Sequence, residues 1–385
     1  MPDLVVRRGA SRATDPRTAV AELYAAIAQP DCALVIFYCS PQYERDALAA
    51  ELRARFVGVR VVGCTTAAEI GPLGYLEGSV SGVSIAGDDL RVVATRIDGL
   101  GTFRPETAAS CARQLVAELL EDTGDLPGGD NTFGFLLIDG LCGNEELVVA
   151  ALHRNLGDIH LVGGSAGDGQ AFGETHVFHD GVFHRDAAVF LLVKSRARFE
   201  VFKTAHFIRG TEKLVVTEAD PERRLVTEVN GAPAAEEYAR MVGVDVAQLT
   251  PAVFGAHPVM VRMGDEDYVR SIRTVNPDGS LTFFCAIDEG IVFTAARHLD
   301  LVQDLDTLFT GLRERLGVPD LVLGCDCILR HVECDARQLL GRVGQMFADN
   351  HVVGFATYGE QYNAMHINQT FTGVALASRD RVHGG

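Results

Sequence analysis

Three short stretches of this 385-residue chain set hydroxyl and carboxylate side chains among glycines: Thr65, Thr66 and Glu69 in GCTTAAEIGP, Ser165 and Asp168 in GGSAGD, and Thr357 and Glu360 in GFATYGE. Glycine lets backbone amides come close to a ligand, and hydroxyls with carboxylates suit an ammonium or amino-acid group. The same residue types also cap turns and helices, so both roles stay open. A second set, Cys325, Cys327, His331 and Cys334, offers thiolates and an imidazole close together in sequence, as a zinc site does. Cys325 and Cys327 are two apart at a strand end and would face the same way. Buried structural thiols are the competing reading.

Among the twelve histidines, His257 precedes Pro258 at a rigid strand entry, and His366 alternates with apolar neighbours in AMHINQTF. Either could present an imidazole to a metal. His176, His179 and His184 surround a predicted turn and are expected in solvent. Arg270 and Arg330 could fork an anion or pair internally with a carboxylate. Gly163 to Gly167 has the spacing of a Gly-x-Ser-x-Gly elbow, but no helix is expected after it, which argues against a hydrolase. Dinucleotide and Walker-type phosphate loops are absent, as is the Cys-x-x-Cys-His of covalent haem attachment.

The elements that must position these residues repeat. A strand, a helix and a second strand recur in LVIFYCS to VRVVGCTTAAEIGP, in FGFLLIDGLCG to IHLVGGSAGD, and in LVLGCDCILR to HVVGFATYGE. Each copy needs a parallel crossover and is followed by a hairpin-like stretch, with turns expected at Gly87-Asp88-Asp89 and His179-Asp180-Gly181. Chemistry is expected where the three tips converge. RLVTEVNGAPAAEEY reads as strand, Asn230-Gly231 turn and helix; DYVRSIRTVNPDGSLTFFC reads as two strands around Asn276 to Gly279. The fold class is therefore α/β, with repeated strand-helix-strand units and hairpins forming mixed sheets in two domains. The charged stretch EADPERR marks the junction. The divisions are an N-terminal segment 1–28, domains 29–220 and 221–376, and a tail 377–385.

The net charge of −18 opposes association with nucleic acid or anionic lipid. No 18-residue apolar run and no leader-like N-terminus are present, so a cytoplasmic protein with reduced cysteines is expected.

GCTTAAEIGPLGY and GGSAGD followed by HVFHDG resemble the two halves of a FIST N-terminal domain. EVNGAPAAEEY, YVRSI, CDCILR, VVGFATYGE and NQTFTGVAL resemble a FIST C-terminal domain. The resemblance covers roughly residues 30 to 376 and implies a bacterial sensory module, not an enzyme, that binds a small ligand and reports to a signalling partner. Chains of this length look like the nitric-oxide-sensing NosP branch of that family. This implies noncovalent haem b, nitric oxide as signal, a partner histidine kinase or other signalling protein, and biofilm or cyclic-di-GMP control. On that basis His257 or His366 would hold iron, with Arg270 and Arg330 on propionates. Cys327 is a lesser haem-ligand candidate. An amino-acid-like ligand without haem, at the glycine-rich tips, is the alternative; a kinase-binding scaffold is another. Paired edge strands make a homodimer an expectation.

Overall fold

Apolar residues on both faces of a strand demand cover on both sides, and that requirement builds this molecule. A computed structural model describes residues 4–88, 90–264 and 266–379. The first repeat comprises β1 (Val5–Ser11), α1 (Pro16–Ile27), β2 (Cys32–Cys39), α2 (Arg45–Arg55), β3 (Arg60–Thr65), β4 (Ala68–Gly71), β5 (Gly74–Leu76) and β6 (Val80–Ala86). The second comprises β7 (Arg91–Asp98), α3 (Pro105–Thr123), β8 (Thr132–Ile138), α4 (Glu145–His153), β9 (His160–Ser165), β10 (Val177–His179), β11 (Val182–His184) and β12 (Ala187–Lys194).

The third repeat opens with β13 (Arg198–Thr204) and is then interrupted. The insertion runs through β14 (Phe207–Asp220), β15 (Leu225–Val229), β16 (Ala232–Pro233), α5 (Ala234–Val242), α6 (Pro251–Ala256), β17 (Val259–Met263), β18 (Glu266–Arg270), β19 (Ile272–Val275), β20 (Leu281–Phe283) and β21 (Val292–His298). The repeat resumes with α7 (Leu301–Leu316), β22 (Leu321–Cys327), α8 (Ile328–Ala336), α9 (Leu340–Asp349), β23 (Val352–Thr357), β24 (Glu360–Tyr362), β25 (Met365–Ile367) and β26 (Phe371–Ala377).

The three repeats exchange their hairpins in a cycle. Each sheet has a parallel central pair, β2 with β3, β8 with β9, and β22 with β23. Its outer neighbour comes from another repeat: β10–β11 joins β3, β24–β25 joins β9, and β4–β5 joins β23. Alternate residues of the central strands, Leu34, Ile36 and Tyr38, Phe133, Phe135 and Leu137, and Leu321, Leu323 and Cys325, meet in one shared core. The intervening residues face outward under helices; Val35 and Phe37, for example, pack with Leu48 and Leu52 of α2.

The inserted β-strands form a fourth sheet, ordered β18-β17-β21-β14-β15-β20-β19 with β16 on β15, and have their own core around Phe254, Phe283 and Phe293. No helix among the described residues is long and apolar enough to cross a membrane.

Several local expectations change. The stretch around Gly87 is not a hairpin, because β6 and β7 lie in different sheets; β25 and β26 are likewise separated. Asp89 lies outside the described residues. The segment before residue 29 belongs to the first repeat, since β1 pairs along its whole length with β6. Its apolar residues were too few to mark it as a strand. The helix of the third repeat is two helices, broken between Ala336 and Leu340.

Candidate ligand site between the repeats and the inserted sheet

The three tips converge, joined in a ring of backbone bonds. Ala67 N–H donates to Ala356 O at 3.1 Å, Gly167 N–H to Thr65 O at 3.0 Å, and Tyr358 N–H to Ser165 O at 3.2 Å. Their side chains are largely engaged in holding this ring. The Glu69 carboxylate accepts from Thr66 Oγ1 at 2.5 Å and from Ser79 N–H and Oγ at 3.1 and 2.6 Å. Glu360 repeats the pattern with Thr357 Oγ1 at 2.7 Å and Thr370 N–H and Oγ1 at 3.2 and 2.7 Å. Burial pushes Glu69 up to about 7 and Glu360 up to about 8, against these hydrogen bonds, which pull the other way.

The second repeat departs from this pattern. Asp168 accepts from the backbone N–H groups of Phe172, Gly173 and Glu174 and from the Tyr358 hydroxyl, so it closes the loop that follows β9. Thr65 Oγ1 accepts from His176 N–H at 3.0 Å, and Ser165 Oγ accepts from Gln361 Nε2 at 3.0 Å. No helix follows Ser165 before β10, so the strand-Ser-helix turn of an esterase elbow is missing.

Beside the ring, where α4 and the β24–β25 hairpin meet the inserted sheet, polar groups lie buried without partners. Gln361 Oε1, His366 Nε2, Asn368 Oδ1, Gln369 Oε1 and Ser271 Oγ all lack a hydrogen bond among the described residues. The amide orientations follow from their nitrogens, which face carbonyls that can only accept: Gln361 Nε2 to Gly359 O, Asn368 Nδ2 to Tyr358 O and Gln369 Nε2 to Gly255 O. Their oxygens are therefore the unmet atoms, and each unmet buried acceptor costs about 1–3 kcal/mol.

Arginines crowd the same junction. Arg224 is paired, with Glu145 and, at 2.7 Å, with Glu146, and it donates to Phe284 O at 2.7 Å. Arg270 is 7% exposed and contacts Val269 O and Met263 Sδ, both at 3.4 Å, with no carboxylate partner among the described residues. Arg273 lies over Phe172 at 5.8 Å, and Phe172 packs on Tyr358 and Phe284. Burial lowers His366 and so favours its neutral form; the charges of Glu146 and Glu145 oppose this, and those of Arg224 and Arg270 add to it.

Haem does not fit the residues expected to hold it. His257 caps the C-terminal end of α6 and is exposed to solvent, its backbone N–H donating to Val253 O at 2.9 Å and its carbonyl accepting from the Tyr238 hydroxyl at 2.7 Å. His366 is buried, but Gly359 closes on the edge that bears the free nitrogen: a methyl group there would stand 2.5 Å from Nε2 and 2.1 Å from Cε1. A porphyrin plane set on Nε2 would displace the tip. Arg330 is fully buried, its Nε 2.6 Å from Asp326 Oδ1 and its Nη1 2.7 Å from His206 Nδ1, so it is not available for a propionate.

The proposed zinc set disperses. Cys325 points into the shared core, Cys327 into the cluster of Phe284 and Tyr358, and Cys334 into the packing under α7 and α9, while His331 stacks edge-on with Tyr75. Cys327 is still extended, as the last residue of β22 and the residue before α8, yet the two thiols pack into different apolar clusters. Burial raises all three thiols, as in structural cysteines.

Sequence reasoning missed His206, His298 and Glu333, whose ligand-type atoms lie within 4.8 Å of one another. They come from a loop, the end of β21 and α8, with no local spacing to reveal them. His206 Nε2 is 2.7 Å from Glu333 Oε2, Arg330 faces His206 Nδ1, and Arg337 lies 2.7 Å from Glu333 Oε1. Since Arg330 can only donate, His206 accepts at Nδ1, carries its proton on Nε2 and donates a hydrogen bond from there to Glu333. Two guanidinium groups already flank the set, so the arrangement is an internal hydrogen-bonded relay and a poor cation site. His176 and His179, expected in solvent, are buried as well.

Interlocked repeats around a closed tip ring, with a second sheet set over a buried polar junction, define a two-part ligand-holding module. The FIST N domain model matches residues 33–232 and the FIST C domain model residues 234–363, and the chain belongs to the FIST family, whose domains are signal-transduction sensor modules that bind small ligands. No curated protein matches the chain. Among solved structures it is similar to a cyanuric acid hydrolase from A. caulinodans, at 13% identity over 98% of this chain and 100% of the other, with a TM-score of 0.37.

Proposed function

We propose that this protein senses a small amino-acid-like molecule at the junction of the repeats and the inserted sheet, and passes the signal to a partner such as a histidine kinase. The observation that carries this reading is Arg270, a buried guanidinium without a carboxylate partner among the described residues, close enough to His366 for its charge to be felt there. Buried charges are ordinarily paired, and an unpaired arginine fork suits a ligand carboxylate. The free oxygens of Gln361, Asn368 and Gln369 suit ammonium or amide N–H groups of the same ligand.

Because the hairpin bearing His366 and the sheet bearing Arg270 are separate elements, a ligand spanning them would favour one packing of the two parts. Signalling needs only a differential affinity for two such packings.

Calorimetric titration with a panel of free amino acids and short dicarboxylates tests the reading. One member is expected to bind saturably, and Arg270→Gln to weaken it at least tenfold. Binding that survives this substitution unchanged, or a saturable haem spectrum that disappears in His366→Ala, would overturn the assignment.

A further inference from the structure

The hairpin exchange creates a helix-against-hairpin contact in every repeat: α4 against β25, α9 against β5, and α2 against β11. The first of these is the candidate junction. Between α2 and the β10–β11 hairpin, by contrast, a cleft of about 510 Å³ stands open. Its walls are Leu52, Phe56, Val57, Val59, Val61 and Phe178. Val57 is 79% exposed, so folding leaves an apolar side chain uncovered at the mouth of the cleft.

Two arginines line the same space. Arg53 lies over the hairpin turn and donates to Gly181 O; Arg60 has no carboxylate partner among the described residues. Such a cationic spot is unusual in a chain of net charge −18. His179 also lines the cleft and is 7% exposed; neither ring nitrogen makes a hydrogen bond among the described residues, although Nδ1 stands 3.1 Å from the exposed Asp180 carboxylate at the rim.

We propose that this cleft is a second binding site, for an apolar-tailed organic acid whose carboxylate meets Arg60 and whose tail lies along Phe56, Val57 and Phe178. Its size lies within the range of small-molecule sites, which are mostly apolar with a few placed polar groups. The guanidinium of Arg60 supplies the fixed charge, and His179, Arg53 and Asp180 add polar contacts beside the apolar wall of Leu52, Phe56, Val57 and Phe178.

The site does not depend on the junction described above, and the two can fail separately. Decanoate is the probe, titrated calorimetrically into the full chain. Saturable one-to-one binding is expected, weakened about tenfold or more by Arg60→Gln and by Val57→Asp, and left unchanged by Arg270→Gln. Decan-1-ol, which has the tail without the charge, is expected to bind far more weakly. Both cleft substitutions fall at solvent-accessible positions, so the variants can be checked for wild-type melting before binding is read. Absence of saturable decanoate binding, equal binding of the alcohol, or wild-type affinity in both cleft variants would overturn the proposal.

Discussion

At the scale of single residues, the junction is governed by how its buried charges are matched. Arg224 holds two carboxylates, the buried Glu145 and the partly exposed Glu146. Removing the cation strands the buried Glu145, and breaking a buried pair in this way costs about 3–5 kcal/mol. Arg224→Gln is therefore expected to shift the urea midpoint sharply downward, and a midpoint near that of the wild type would show that the carboxylates find other partners. Arg270 should behave in the opposite manner. With no carboxylate partner among the described residues to lose, Arg270→Gln is expected to leave unliganded stability within about 1 kcal/mol of the wild type, or to raise it, since relief of an unpaired buried charge offsets the lost packing. A large destabilisation by this change would mean that Arg270 is structural.

At the scale of elements, the repeat, the strand-helix-strand order and the tip positions were legible because they depend on local apolar periodicity and on glycine placement. Hairpin exchange was not legible. Whether β10–β11 folds back on its own sheet or pairs with β3 depends on which edge is vacant, and no residue within the hairpin encodes that choice. Insertion of a whole sheet between β13 and α7 hid the third repeat's first strand for the same reason. The junction residues were legible only in part: His366 and Arg270 stood out by type, but Gln361, Gln369 and Arg273 have no spacing that separates them from ordinary surface residues. Where turn chemistry was read, it can be tested directly. Asp180 and Gly181 adopt φ of 50° and 79°, and a Cβ on Gly181 would stand 2.5 Å from Arg53 Cδ. Gly181→Val is expected to cost about 1–3 kcal/mol through strain in the left-handed region and to weaken decanoate binding by displacing Arg53. Unaltered melting would show that the turn can reshape.

At the scale of the whole molecule, groups buried in different parts give stability opposite dependences on pH. Glu69 and Glu360 titrate near 7 and 8 in the fold against 4.5 ordinarily, so the folded chain keeps protons that the unfolded chain has released. Their contribution is complete below about pH 4.5 and is lost as pH rises through their folded values. His206 acts with the other sign. Burial pushes it down to about 4 from 6.5, so its contribution is complete above 6.5 and is lost as pH falls through 4. His176, His179, His331 and His366 are also lowered by burial and act in the same direction as His206. Between roughly pH 4.5 and 6.5 the two groups therefore oppose each other. Above that range the histidines are silent and the carboxyls alone should act, because burial holds the core thiols above their ordinary range. Stability measured by urea denaturation is thus expected to decline between about pH 6.5 and pH 8.5, and the double substitution Glu69→Gln, Glu360→Gln to flatten that decline. Gln preserves the acceptor that Ser79 and Thr370 need, and its amide can donate to Thr66 and Thr357. The Thr66 hydroxyl already has Cys39 O as a second acceptor at 3.3 Å. The comparison therefore removes the titration while keeping the packing, and a decline as steep in the double variant as in the wild type would place the responsible protons outside the tip ring.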